Sequence, residues 1–129
     1  MASGTFDRPL PDPVEEKMLL NLGGINVVTT EVSTNGTGYI NIPRNSSALR
    51  TGIIILACGV ANGSGMYIYG RGTQSSASIQ LTAIKAPTLS GVSVSVVGND
   101  VVIETPTYQV VRIIYFTGGA PTVSSSPSS

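Results

Sequence analysis

The residues that could do acid–base or nucleophilic chemistry are few in this chain. It contains no His, which removes the commonest general base and metal ligand. Asp100 and Glu104 fall on one strand at a separation of about 13 Å by strand rise, too far for a glycosidase pair. The single Cys58 can form neither an intrachain disulfide nor a Cys-based metal site. P-loop, GxSxG, HExxH and dinucleotide-binding motifs are all absent. We therefore predict no enzyme activity, no catalytic residue, no cofactor and no metal.

A polar and aromatic stripe is the first candidate binding site. In the segment MYIYGR, Tyr67, Tyr69 and Arg71 alternate with Met66 and Ile68, so they share one face of a strand. Two Tyr rings beside an Arg are suited to stacking on a sugar ring or to anchoring a protein interface. The competing interpretation is an ordinary amphipathic sheet face that binds nothing.

The closing strand, residues 108–116, is the second candidate, because it is apolar on both faces. Such a strand is central or lies under a subunit contact, and the interface residues we predict are Val111, Arg112, Ile113 and Tyr115. A buried Arg112 would need a carboxylate partner, for which Glu104 and Glu31 are the candidates. The alternative is an Arg that lays its stem along the surface and keeps its head in water.

A hairpin next to that strand can be predicted down to its register. A three-residue loop would pair Val94 with Glu104 and put a carboxylate on the valine face. A two-residue Gly98-Asn99 loop pairs Val94 with Ile103 instead, and sets Ser93 opposite Glu104. The burial pattern favours the two-residue loop, since a slip of one residue reverses every side chain. Gly at the first turn position can adopt a positive φ, and Asn tolerates the left-handed conformation.

From Ile25 onward the apolar period is two, which predicts about eight strands at short spacing and an all-β fold. We expect an antiparallel β-sandwich or a jelly-roll-like domain over residues 25–117. The run GIIILACGV has no polar alternation, so it predicts a central strand buried on both faces. Cys58 lies in this run and is expected to be buried and unreactive, as a small hydrophobe.

The two ends differ from this pattern. Residues 1–24 combine a Pro-containing arm with a short helix, for which Asp12 is the N-cap and Val14, Met18 and Leu22 form one apolar face. The helix could plug the end of the sandwich, or it could be an attachment element that docks on another protein. Residues 118–129 are rich in Gly, Pro and Ser and are predicted to be disordered.

Composition and charge limit the classes of partner that this chain is expected to bind. Charged residues make up 11% of the chain, the net charge is zero and the mean hydropathy is +0.27. A chain with so few Lys and Arg lacks the basic footprint that nucleic acid binding requires. No apolar run is long enough for membrane insertion, and the N-terminus has no secretory signal pattern. The shortage of surface charge favours self-association.

A Gly-, Ser-, Thr- and Val-rich, charge-poor β domain behind a Pro-containing arm resembles the small fibre, spike and decoration proteins of tailed bacteriophages. The resembling portion is residues 25–117, in segments such as IPRNSSALRTGIIIL, GSGMYIYGRG and VVRIIYFTGG. The resemblance implies a virion component that is a homotrimer, is attached to another virion protein through its N-terminal arm, and contacts a host surface glycan. Without a long fibrous shaft, a short head fibre, capsid decoration or tail-tip component fits better than a full-length receptor-binding fibre. The alternative is a carbohydrate-binding module that uses Tyr67 and Tyr69 as its platform.

Overall fold

Strands account for most of the chain in the computed structural model, which describes residues 26–128. In that range the elements are β1 (Asn26–Val32), β2 (Gly36–Asn41), β3 (Arg50–Ala57), a 3-10 helix (Ala61–Gly63), β4 (Gly65–Arg71), β5 (Gln80–Lys85), β6 (Ser93–Val97), β7 (Asp100–Thr105), β8 (Gln109–Thr117) and β9 (Thr122–Ser124). They form one sheet of five strands in the order β1-β8-β3-β4-β5 and another of four in the order β6-β7-β2-β9. Every pairing is antiparallel, so the predicted all-β sandwich is confirmed.

The predicted hairpin is confirmed in its register. Val94 pairs with Ile103 and Ser93 with Glu104, across a loop of Gly98 and Asn99. Gly98 has a φ of +59°, and among the described non-Gly residues a positive φ occurs only at Asn35. Within this two-residue turn the left-handed conformation is therefore confined to Gly98, which adopts it without a Cβ clash, while Asn99 does not adopt it.

Five connections carry the chain from one sheet to the other, and hydrogen bonds hold those between β7 and β8 and between β1 and β2. Between β7 and β8 the corner at Pro106 is held by Thr105, whose Oγ1 donates to the carbonyl of Thr107 at 2.7 Å and accepts from its amide at 3.2 Å. Between β1 and β2 the amide of Gly36 donates to the carbonyl of Ser33 at 2.9 Å, closing a tight turn. Each turn therefore separates two consecutive strands into different layers.

The core lies between the two sheets. Its fully or nearly fully buried members come from both layers: Val32, Ile40, Ile42, Ile54, Leu56, Tyr67, Tyr69, Ile79, Val101, Ile103, Val111 and Ile113. Burial of this apolar area is the main driving force for packing the layers together.

The strand β3 is central, as predicted, but it is buried on only one face within this chain. Ile54 and Leu56 are buried, while Ile53 and Ile55, which point away from the core, are half-buried. The predicted burial of Cys58 is wrong, because β3 ends at Ala57 and Cys58 is half-buried beyond it; its predicted lack of reactivity stays a prediction. Its Sγ donates to the carbonyl of Val60 at 3.1 Å in the turn that follows.

The C-terminal segment also differs from the prediction, since its described part includes a strand instead of a disordered tail. β9 pairs with β2, with Ile40 opposite Val123. Val123 packs against the core, so an apolar residue and the edge of β2 both help to dock the segment. The predicted arm and helix, with Val14, Met18 and Leu22, lie outside the described residues.

Candidate functional site

The Tyr67 and Tyr69 side chains point into the sandwich, which corrects the prediction of an exposed stacking platform. Their exposed fractions are 7% and 1%, whereas Ile68 between them is 46% exposed. Tyr69 lies across from Gly52 of β3, and a Cβ at that glycine would come within 2.6 Å of the Tyr69 hydroxyl oxygen. The missing side chain makes room for the ring. Burial raises the pKa of the Tyr69 hydroxyl to about 12.

Arg71, the third member of the predicted stripe, donates hydrogen bonds to residues of three loops. Its Nη1 donates to the carbonyl of Ile42 at 2.8 Å and to Oδ1 of Asn99 at 2.7 Å, and its Nε donates to the carbonyl of Ala77 at 3.0 Å. These bonds tie the β6–β7 turn to the loop after β4. With both Tyr rings buried and the guanidinium engaged, the stripe is a structural feature.

The four residues predicted at an interface fall on opposite sides of β8. Val111 and Ile113 are fully buried in the core, so their placement at an intersubunit surface is wrong. Arg112 is exposed on the other side of the strand, and Tyr115 is half-buried. The physical reason is that a strand covered on one side by its own chain looks apolar on both faces when the other side also carries aliphatic residues.

The candidate carboxylate partners of Arg112 are now separated. Glu104 lies on β7 in the four-stranded sheet, where its Oε1 accepts from the Ser93 hydroxyl at 3.2 Å. Glu31 lies on β1, next to β8, and so in the same sheet as Arg112. Arg112 itself is exposed, which agrees with the interpretation of a stem on the surface and a head in water.

The side of the five-stranded sheet that faces away from the core carries a continuous apolar surface, which we call the outer face. The pairings align Val27 with Ile114, Ile114 with Ile53, and Ile53 with Ile68, which gives one row across four strands. The next row runs from Arg112 to Ile55 and Met66. Several of these side chains are strongly exposed: Val27 is 55% exposed, Ile68 46% and Phe116 41%.

The outer face is not flat. A hollow of about 250 Å³ lies between Val110 and Arg112 on one side and Ile55 and Ala57 on the other. A second hollow of about 500 Å³ shares Ile55 and Ala57 and extends to Met66, Ile84 and Lys85. Together they form a groove along one end of the face. The sequence contained part of its signal, since Ile55 and Ala57, two alternate residues of GIIILACGV that do not face the core, line this groove.

A separate cleft of about 560 Å³ lies where β1 approaches β2 and β9. Its lining is mostly polar: Thr30, Glu31, Val32, Ser33, Gly36, Thr37, Gly38, Tyr39, Val123, Ser124 and Ser125. Among the described residues, no group of three or more His, Cys, Asp or Glu could hold a metal ion. The described part also contains no helix long and apolar enough to cross a membrane.

Asp100 forms a buried polar cluster that sequence reasoning missed. The residue is 4% exposed; its Oδ1 accepts from Nδ2 of Asn41 at 3.2 Å, and its Oδ2 accepts from the amide of Ser128 at 3.0 Å. Burial raises the pKa of this carboxyl, but the hydrogen bonds from Ser128 and Asn41 together outweigh it, so the pKa lies below its ordinary value. The cluster joins β7, β2 and the C-terminal segment.

Comparison with known proteins finds only distant structural likenesses. No protein-family model matches the chain, and no curated protein matches it. The solved structure of tailspike protein gp49 from Acinetobacter baumannii bacteriophage Fri1, a capsular polysaccharide depolymerase, is 13% identical with a TM-score of 0.49, over 93% of this chain and 24% of that one. The tailspike protein of Acinetobacter phage vB_ApiP_P1 is 10% identical with a TM-score of 0.27, over 96% and 25%. This chain thus spans about a quarter of the length of each tailspike, and at these scores neither likeness assigns a function.

Proposed function

We propose that this chain is a non-catalytic structural subunit of a bacteriophage particle, a tail- or spike-like component that assembles with copies of itself. The observation that carries the proposal is the outer face. Within residues 26–128 nothing covers its aligned aliphatic row, and an exposed apolar surface of this extent is typical of a protein–protein contact. The phage assignment comes from the sequence resemblance of residues 25–117.

The proposed assembly is a homotrimer. Cyclic symmetry is the usual outcome when one chain contacts copies of itself, and closure prevents open-ended growth. The number three comes from the resemblance to phage fibre and spike proteins. Attachment to another virion protein is assigned to residues 1–24, which contain the Pro-rich arm and the apolar positions Val14, Met18 and Leu22.

Sedimentation velocity of the full-length protein at micromolar concentration tests the assembly. We expect one species of three times the chain mass, because a hydrophobic contact of this size should persist on dilution. Mass spectrometry of purified phage particles from the source of the gene tests the location, and the chain should be found among the virion proteins. A monomer in solution would remove the basis for the assembly.

A carbohydrate-binding module is the second candidate function, and one observation favours it. The cleft is lined by Tyr39, Glu31 and several Ser and Thr residues, which are residue types suited to contact with a sugar. In this candidate function the cleft, in place of the buried Tyr67 and Tyr69, would contact the carbohydrate. The same measurement separates the two candidates, since a monomer that is retained on an immobilised polysaccharide would favour the module.

A further inference from the structure

Three arginine side chains lie together at the end of the sandwich where β3 begins and β4 ends. Arg50 of β3 is paired directly with Arg71 of β4, and both fall on the side of the sheet that faces the core. Arg44, in the loop before β3, donates from its Nη1 to the carbonyl of Thr73, two residues beyond Arg71. Like charges directly opposite each other on neighbouring strands are destabilising. We call Arg44, Arg50 and Arg71 the arginine end.

The hydrogen bonds of the arginine end do not compensate its charge. Arg71 donates to neutral acceptors, which are the carbonyls of Ile42 and Ala77 and the side-chain oxygen of Asn99. The Nε of Arg50 is shielded from solvent and has no hydrogen-bond partner among the described residues. A buried donor without an acceptor costs free energy, and so does an uncompensated charge. An anion beside these guanidinium groups would therefore be stabilising.

The carboxylates of residues 26–128 do not supply this anion. Among those residues none forms an ion pair with the arginine end within 4.0 Å. The two carboxylate oxygens of Asp100 accept hydrogen bonds from Asn41 and from Ser128. Glu31 is five residues from the start of β1 and Glu104 four residues from the start of β7, so both lie about 13–17 Å toward the other end of the sandwich.

The rest of the chain carries the missing negative charge. Residues 1–25 contain four acidic and two basic residues, whereas residues 26–128 contain three acidic and five basic ones. The chain of zero net charge is thus divided into an acidic N-terminal segment and a basic domain. The four acidic residues of that segment are Asp7, Asp12, Glu15 and Glu16.

The N-terminal segment joins the domain at the arginine end. Asn26, the first residue of β1, is paired with Tyr115, which is paired in turn with Gly52 of β3. Arg50 is two residues along β3 from Gly52, so the Cα atoms of Asn26 and Arg50 are about 12 Å apart by strand spacing and rise. Glu16 precedes Asn26 by ten residues, a length of chain that spans about 33 Å when it is extended. The acidic residues are therefore within reach of the arginine end.

We propose that the arginine end binds the acidic segment of the same chain, residues 7–16, and holds it against the end of the sandwich. A guanidinium group is suited to this partner, because it can form two parallel hydrogen bonds to one carboxylate. The contact goes beyond the proposed function, since it requires neither an oligomer nor another virion protein. It sets the position from which the N-terminal arm leaves the domain.

Zero-length crosslinking tests the contact in the full-length protein. Arg50→Lys keeps the positive charge and introduces an amine that a carbodiimide can join to an adjacent carboxylate. We expect mass spectrometry to find a crosslink between position 50 and an acidic residue of the segment 7–16, in the gel band of one chain's mass. Arg112→Lys, on the outer face, is the matched control and should give no crosslink to that segment. If Arg50→Lys does not fold, Arg44→Lys at the same end serves the same purpose.

Limited proteolysis tests the contact without an introduced amine. Trypsin should cleave after Lys17 about fivefold faster in Arg50→Gln than in Arg112→Gln, because loss of the contact leaves the segment more accessible. In about 1 M NaCl, which screens the charges, the two variants should be cleaved at the same rate. Circular dichroism checks that each variant is folded.

Two outcomes would overturn the proposal. A crosslink confined to bands of two or more chains would assign the arginine end to the acidic segment of a neighbouring copy. No crosslink from position 50 or 44, together with equal cleavage rates of the two Gln variants at low salt, would show that the segment does not bind there. Either result is independent of the proposed function, which sedimentation velocity tests separately.

Discussion

Asp100 shows how one buried carboxylate can organise the end of a sandwich. It begins β7, directly after the turn residues Gly98 and Asn99, and it receives hydrogen bonds from β2 and from the C-terminal segment. Bonds of this kind to an ionised acceptor are stronger than those between neutral groups. The side chain therefore anchors a segment whose composition alone gives little reason to be ordered.

The Asp100 carboxyl should make the stability of the protein fall in acid. Because its folded pKa lies below the ordinary value of 3.8, its contribution is fully present above pH 3.8 and is lost as the pH falls through the folded pKa. Asp100→Asn should lower the free energy of unfolding at pH 7 by about 1–3 kcal/mol, since an amide nitrogen would then face one of the two donors. Urea unfolding at several pH values measures both effects.

Glu104→Gln is the control for that measurement, because Glu104 is an exposed carboxylate on the same strand. It should change the free energy of unfolding by less than about 0.5 kcal/mol at any pH. Equal effects of the two substitutions would contradict the role of Asp100. So would an Asp100→Asn variant whose loss of stability on acidification matches that of the wild type.

At the same scale, the two Tyr residues show where prediction from the sequence stops. Alternation correctly put Tyr67 and Tyr69 on one side of β4 and Ile68 on the other. It could not say which side faces the core, since both sides carry large apolar groups. The decision depends on Gly52 in a different strand, whose missing Cβ makes room for the Tyr69 ring. The local sequence around β4 gives no sign that Gly52 leaves room for Tyr69.

Among the elements, β3 and β4 form the tightest fit between a glycine and an aromatic ring. A methyl group at Gly52 would lie 2.5 Å from the carbonyl oxygen of Ile114, as well as against Tyr69. Backbone on one side and a fully buried ring on the other leave little freedom to adjust. The centre of the five-stranded sheet is thus packed around one absent side chain.

Gly52→Ala should therefore lower the free energy of unfolding by about 1–3 kcal/mol, the usual cost of overpacking a core. Gly70→Ala is the matched control, because the nearest atom to a Cβ at Gly70 is 4.0 Å away. That variant should be within about 0.5 kcal/mol of the wild type, as measured by chemical denaturation. A Gly52→Ala protein as stable as Gly70→Ala would show that the sheet yields easily at this point.

Strand pairings between neighbouring segments could be predicted from the sequence, whereas pairings between distant segments could not. The β6–β7 hairpin could be predicted in register because its turn and both strands are adjacent in the chain. The pairing of β1 with β8 joins segments from opposite ends of the domain. Several other strands have a similar apolar alternation, so the sequence pattern alone does not identify which strand pairs with β1. The short β9 went unpredicted because Val123 alone distinguishes it, and its order depends on the free edge of β2.

At the scale of the whole molecule, the two layers differ in the mix of residues that they expose. The five-stranded sheet presents the aliphatic outer face, whereas the β6–β7 hairpin exposes Ser93, Ser95 and Glu104 together with Val96 and Val97. Such an arrangement favours contact on one side and exposure to solvent on the other. In the proposed particle, the four-stranded sheet and the loops would then face outward.

Deletion of residues 1–22 should leave a folded oligomer that no longer enters particles. The reason for folding is that every buried core residue of the described range lies between Val32 and Ile113, well clear of the deletion. Circular dichroism and sedimentation velocity check the fold and the assembly, and mass spectrometry of particles from a complemented phage checks incorporation. Loss of folding would instead make the N-terminal segment part of the core.

The position of β8 has a consequence for synthesis of the chain. This strand lies between β1 and β3, and its register sets Asn26 against Tyr115 and Ile54 against Ile113. Neither early strand can complete its pairing in that sheet until the ribosome has released the last quarter of the protein. Closing such long loops slows folding, and meanwhile the aliphatic segments stay unprotected. We therefore expect yields of native protein that fall when translation is fast or warm and recover with holdase chaperones.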